Sequence, residues 1–183
     1  MPNWCHTNMT ITGAAEEIAR FKQTCLPDGT FDFNAIVPMP PEIDPHERSG
    51  NPFPAWYQWC CDNWGTKWNA CDSVISRDEP DCLCCDFATA WCPPEPIFIK
   101  IGELFPTLKI KLNGSSVESD FAFEGGIENG KVELREVPLI WTMTHPKTGE
   151  TVSGTTDELV ELGVFDTQAA KAEAADRTDD LPF

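Results

Sequence analysis

Positive charge is scarce in this chain. Thirteen Lys and Arg stand against thirty Asp and Glu in 183 residues, a net charge of −17 at pH 7. Such an excess repels phosphates at long range. It excludes a protein that coats nucleic acid by bulk charge, although a local basic groove remains compatible with it. No apolar run is long enough to span a bilayer, which predicts no membrane segment. The opening Met1-Pro2-Asn3-Trp4-Cys5-His6 lacks a basic stretch followed by an apolar one, which predicts no export signal and a reducing, cytoplasmic setting. No Gly-Lys-Ser/Thr follows Gly125-Gly126 or Gly130, so a phosphate-binding loop is not expected. His6, His46 and His145 are scattered and no carboxylate pair stands apart, so the chain is read as a non-enzyme without cofactor.

Cysteine is plentiful. There are nine, an odd number that cannot form a complete intrachain disulfide set. Seven fall between Cys60 and Cys92, and Cys82 and Cys85 make one C-x2-C. A structural zinc site needs a second pair, which the adjacent Cys60-Cys61 cannot readily supply. The expectation is buried small thiols and no metal.

Alternation predicts a strand over 4–12, ending at Gly13. Ile18, Phe21 and Cys25 at helical spacing predict a helix over 14–25, with Glu16-Glu17 favouring its N-terminus. Further strands are expected over 31–37, 67–74, 84–91 and 108–112. A short helix is expected over 55–64, broken by Gly65. Residues 76–80 read as a charged turn, and a helix opens on the prolines at 93–96 and runs to Phe105. Asn129-Gly130 between two alternating runs predicts a hairpin of 121–127 with 131–137, and 139–144 is expected to continue the sheet. A short helix is expected over 157–162. This order predicts an α+β fold: a mostly antiparallel sheet, two main helices on one face, an insertion loop, and a flexible acidic tail.

Aromatics supply the chemistry: seven Trp and eleven Phe, but one Tyr. Trp64, Lys67, Trp68 and Asn69 place two flat rings, a cation and an amide within six positions, and Trp91 and Trp4 are candidates for neighbouring strands. Rings that stack on bases beside cations that meet phosphates are what a single-stranded-DNA binder requires. Lys109 and Lys111, with Lys131 and Arg135, would extend a basic edge if their strands pair. The competing expectation is that these tryptophans are core and that Asn63-Trp64-Gly65-Thr66 is a turn.

Four segments are distinctive together. They are Met1-Pro2-Asn3-Trp4-Cys5-x-x-Asn8, Phe31-Asp32-Phe33-Asn34 with Pro38-Met39-Pro40, Asn63-Trp64-Gly65-Thr66-Lys67-Trp68-Asn69-Ala70, and Thr89-Ala90-Trp91 with Pro93-Pro94. They resemble the YubB ferredoxin-like family of bacteriophage and plasmid proteins over roughly residues 1–140, departing from it at Cys71 and Cys92. The resemblance implies a ferredoxin-like sheet with two helices and a mobile-element origin in a bacterial cytoplasm.

The chain ends Asp179-Asp180-Leu181-Pro182-Phe183. This resembles the C-terminal tip of bacterial single-stranded-DNA-binding proteins, which docks replication, recombination and repair proteins. Phe suits an apolar pocket, the terminal carboxylate a bidentate Arg, and the Asp pair a basic surface. The expected organisation is a domain over 1–165 and a tail over 166–183. A spacer of ~13 residues before the tip would reach at most ~45 Å. Single-stranded DNA is the expected ligand of the domain, through Trp64, Lys67, Trp68, Asn69, Trp91, Lys109 and Lys111. The alternative is a non-catalytic adaptor or counter-defence inhibitor whose acidic body mimics DNA.

Overall fold

The computed structural model describes residues 3–47, 50 and 53–164. The first strand, β1 (Trp4–Thr12), buries Cys5, Thr7, Met9 and Ile11 and turns Trp4, His6, Asn8 and Thr10 the other way. Helix α1 (Ala15–Cys25) follows and buries Ile18, Phe21 and Cys25. Two short helices come next, α2 (Phe33–Ile36) and α3 (Ala55–Trp64). Strands β2 (Cys71–Glu79) and β3 (Cys82–Ala90) pair through a turn at Pro80-Asp81. Helix α4 (Glu95–Leu104) then leads to β4 (Lys109–Ser116), β5 (Phe121–Glu128) and β6 (Lys131–Val137). A separate hairpin, β7 (Trp141–Thr144) with β8 (Thr151–Gly154), precedes α5 (Thr156–Glu161).

The fold is α+β. The main sheet has six strands in the order β2-β3-β1-β4-β5-β6, every neighbouring pair antiparallel. One face carries the core, in which Met9, Ile11, Phe87, Ile110 and Leu112 pack with Ile18 and Phe21 of α1 and with Ile97, Phe98 and Ile101 of α4. Phe21 and Phe105 lie 5.2 Å apart and tie the ends of these two helices together. The opposite face has no helix in this core and is open. No helix among the described residues is long and apolar enough to cross a membrane.

Four local expectations change. Residues 67–70 of the strand expected over 67–74 are not strand, and β2 begins at Cys71. Residues 31–37 do not form a strand. The Asp32 carboxylate accepts from the Asn34 amide and starts α2, while the Phe31 and Phe33 amides donate to Ser73 Oγ (2.9 Å) and Asn69 Oδ1 (2.8 Å). Side chains have replaced a strand neighbour as hydrogen-bond partners. The charged stretch 76–80 is mostly strand, because β2 is an edge whose outward side chains can remain in water. Residues 141–144 pair only with β8 and leave the main sheet after Pro138.

Candidate nucleic-acid interface

Helix α3 stops at Gly65, whose φ of 76° suits glycine and whose missing side chain leaves room for Pro96; a Cβ there would meet Pro96 Cδ at 2.6 Å. The chain then lies across the end of the sheet where β1 begins and β3 finishes. Thr66 Oγ1 donates to the Ala90 carbonyl (3.0 Å), and Cys92 Sγ donates to the Gly65 carbonyl (3.2 Å). The Trp91 amide donates to the Asn3 carbonyl (2.8 Å), and Thr89 Oγ1 donates to the Cys92 carbonyl (2.8 Å). These bonds hold Trp91 at φ 72°, a left-handed conformation that a large side chain rarely adopts.

The frame gathers three rings around one cation, with a fourth ring beside them. Lys67 Nζ lies 4.4 Å from the Trp68 ring centroid, 5.8 Å from Tyr57 and 5.9 Å from Trp91. Trp4 lies 6.1 Å from Trp68. Trp91 is 39% exposed, and Trp4, Tyr57, Lys67 and Trp68 are half-buried. No carboxylate among the described residues pairs with Lys67. Ring faces hold the ammonium by cation–π attraction, which leaves its charge available to an anion. Lys67, Trp68 and Trp91 therefore converge as expected. Tyr57 joins them from α3, ten positions upstream, with no local pattern to announce it.

Two expected residues, Trp64 and Asn69, line a concavity of about 410 Å³ with Lys67 and Trp68, but the fold already engages both. Trp64 is 5% exposed, its indole N–H donates to the Val37 carbonyl (2.9 Å), and it packs edge-on against Trp59 and Phe33. It is core and has no free face for a base. Asn69 is occupied inside the fold. Its carbonyl accepts from the Phe33 and Ala70 amides, and its amide donates to Asp32 Oδ1. It anchors the 65–70 segment to α2.

Lys109 and Lys111 lie elsewhere on the open face. They pair in register with Thr12 and Thr10 of β1, so Lys111 is six residues along from Trp4, ~20 Å at strand spacing. With Lys131 they line a concavity of about 540 Å³ over Gly125 and Gly126. Lys109 pairs with Glu128 at 3.1 Å, and Arg135 with Glu124. β4 carries two lysines and no acid, β5 two glutamates and no base, and β6 two of each, so charge is balanced here in contrast to the acidic excess of the whole chain. The tip residues Asp179, Asp180, Leu181, Pro182 and Phe183 lie outside the described residues.

Five of the nine thiols, Cys5, Cys25, Cys60, Cys82 and Cys85, are buried, and Cys61, Cys71, Cys84 and Cys92 are partly exposed. Cys5, Cys25, Cys60 and Cys85 are fully or almost fully buried. Burial pushes Cys5 and Cys25 from an ordinary 9.0 up to about 12, and Cys60 and Cys85 up to about 11. A raised thiol is a poor metal ligand and a poor nucleophile. The C-x2-C of Cys82 and Cys85 falls in β3, where residues three apart point to opposite faces, so the two sulfurs cannot close on one ion. Among the described residues no group of three or more His, Cys, Asp or Glu is placed to hold a metal.

No family model and no curated protein sequence matches the chain. Among solved structures it is similar to the crystal structure of protein api92 from Yersinia pseudotuberculosis, of the family DUF1281. That similarity has a TM-score of 0.53 at 9% identity and covers 76% of this chain and 98% of the other. At that identity it is a likeness of fold.

Proposed function

We propose that this protein binds single-stranded DNA across the end and open face of its sheet. One observation carries the reading: Lys67 is held among the faces of Trp68, Trp91 and Tyr57 at the rim, with Trp4 beside them. Stacking on such rings is sequence-tolerant and worth about 1–3 kcal/mol per base. The lysine of the cluster would meet a phosphate as a base stacks beside it, and Lys109 and Lys111 would take phosphates farther along the strand. Trp64 and Asn69 would act only by holding the frame.

With α2 and α3 taken as an insertion after α1, the order is β-α-β-β-α-β, and β4-β1-β3-β2 as spatial neighbours supports a ferredoxin-like reading extended by the β5–β6 hairpin. Membership of the YubB family, a phage or plasmid origin and a bacterial cytoplasmic setting remain part of the proposal and rest on the four sequence segments. The tip at Asp179–Phe183 would recruit bacterial replication, recombination or repair proteins while the domain holds DNA, raising their effective concentration there.

The test is titration of a labelled single-stranded oligonucleotide at two salt concentrations, followed by anisotropy and Trp quenching. Binding should weaken as salt rises, with a slope reporting the number of phosphates neutralised. The net charge of −17 favours a second reading, the adaptor or inhibitor with a DNA-mimicking body. A folded sample that binds no oligonucleotide at low salt would sink the first reading and promote the second.

A further inference from the structure

The centre of the open face holds a second concavity, of about 340 Å³, distinct from the lysine groove. Its size falls within the range of small-ligand sites, roughly 300–1,000 Å³. The lining is mixed: polar groups come from His6 and Asn8 of β1, Asp86 of β3, Asp72 of β2, and Asn113 and Ser115 of β4, set among apolar surface. The registers make this convergence unavoidable. Asn8 lies opposite Asp86 on one side and opposite Asn113 on the other, and His6 lies opposite Ala88 and Ser115. Ala88 is 1% exposed and forms a small-residue floor.

Asp86 is fixed in place. Asn8 Nδ2 donates to its Oδ1 and Ser76 Oγ donates to its Oδ2, both at 2.7 Å. No cation pairs with it among the described residues. A carboxylate has about four lone-pair directions, and two donors leave capacity for an incoming N–H. The Asn113 amide has no side-chain partner among the described residues and can both donate and accept. Two carboxylates in the pocket, Asp72 and Asp86, repel phosphate. What they accept is a hydrogen-bond donor, and among the groups of a nucleic acid that is a base N–H.

We infer that the pocket formed by Asp86, Asn8, Asn113 and His6 reads the edge of one nucleobase and prefers a base with an exocyclic amine. Cytosine presents its N4 amine there as a donor. Thymine presents a carbonyl oxygen at the same position and would set it against the Asp86 carboxylate. The inference rests on the reading of this face as a single-strand binder, and adds base preference to the rings, which have none. His6 is two residues from Trp4 on the same side of β1, so a strand stacked at the rim would carry its next bases over the pocket.

The deciding comparison is oligo-dC against oligo-dT of equal length, two pyrimidine ligands that differ at the C4 amine or oxygen, at the N3 proton and at the C5 methyl. Wild-type protein should bind oligo-dC about 10- to 100-fold more tightly, the scale of one hydrogen bond to a charged group. Asp86→Asn should lose that preference, binding oligo-dC less tightly and oligo-dT more tightly, because the carboxylate no longer opposes the thymine oxygen. Asn113→Ala, which breaks no internal side-chain bond, should narrow the preference in a protein whose fold is undisturbed. Equal affinity of the wild type for the two ligands, or a preference unchanged in both variants, overturns the pocket while leaving the stacking site standing. Failure to bind either ligand overturns both.

Discussion

Trp91 offers a test in which stability and binding should separate. Its φ of 72° places a bulky residue in the left-handed region, at a cost of roughly 1–2 kcal/mol for any L side chain. Replacement by Ala keeps that cost, and replacement by Gly removes it. The ring is 39% exposed, so roughly 120 Å² of it is covered, worth at most ~3 kcal/mol at ~25 cal/mol/Å². The Lys67 contact at 5.9 Å is at the edge of cation–π range and adds less than ~1 kcal/mol. Both variants lose the ring. Trp91→Gly also gains unfolded-state entropy, worth ~0.4–1 kcal/mol against the fold. The expected order is wild type, then Trp91→Gly, then Trp91→Ala, with the two variants separated by about 0.5–1 kcal/mol. Urea unfolding followed by circular dichroism measures the order. In anisotropy titrations the two variants should lose equal affinity for a single-stranded oligonucleotide, by about 1–3 kcal/mol, because both lack the platform. An Ala variant as stable as the Gly variant refutes the backbone argument. Affinity within twofold of wild type in both refutes the stacking role.

Other outcomes follow from the same frame. Trp64→Ala should cost about 3–5 kcal/mol of unfolding free energy, the range for a core aromatic, and a loss under ~1 kcal/mol in urea unfolding would contradict its place in the core. The Cys5 and Cys25 thiols keep their protons in the folded chain up to about 12, against an ordinary 9.0. The folded state therefore binds more protons over that interval, and their contribution is complete below about pH 9.0 and lost as pH rises toward about 12. Urea midpoints measured upward from neutral pH should fall in that window, and less steeply in Cys25→Ala; a flat profile contradicts the burial. Deleting Phe183, or adding one residue after it, should remove replication, recombination or repair proteins from a bacterial-lysate pull-down with little change in unfolding. Unchanged recovery in both would show the tip's likeness to be accidental.

Periodicity made much of the scaffold legible. Alternation over 4–12 is satisfied by one buried face of β1, the Ile18-Phe21-Cys25 spacing by α1, and Asn129-Gly130 by the β5–β6 turn, where both residues have positive φ. These are local signals, carried by the period of the backbone and the turn preferences of a few residues. The Phe31–Val37 run carried a strand-like signal of equal strength and failed, because Ser73 and Asn69, remote in sequence, bond the amides that a strand neighbour would have taken. Lys67, Trp68 and Trp91 could be named as a site from residue type alone. Trp64, of the same type and four positions from Trp68, could not be separated from them by composition. Gly65 ends the helix between them, so one indole points into the core and the other onto the surface. Tyr57, and the meeting of Asn8, Asp86 and Asn113, depend on which strands become neighbours. That choice is made by burying one face of a six-stranded sheet, and so only the tertiary structure decides which polar side chains are left together on the other.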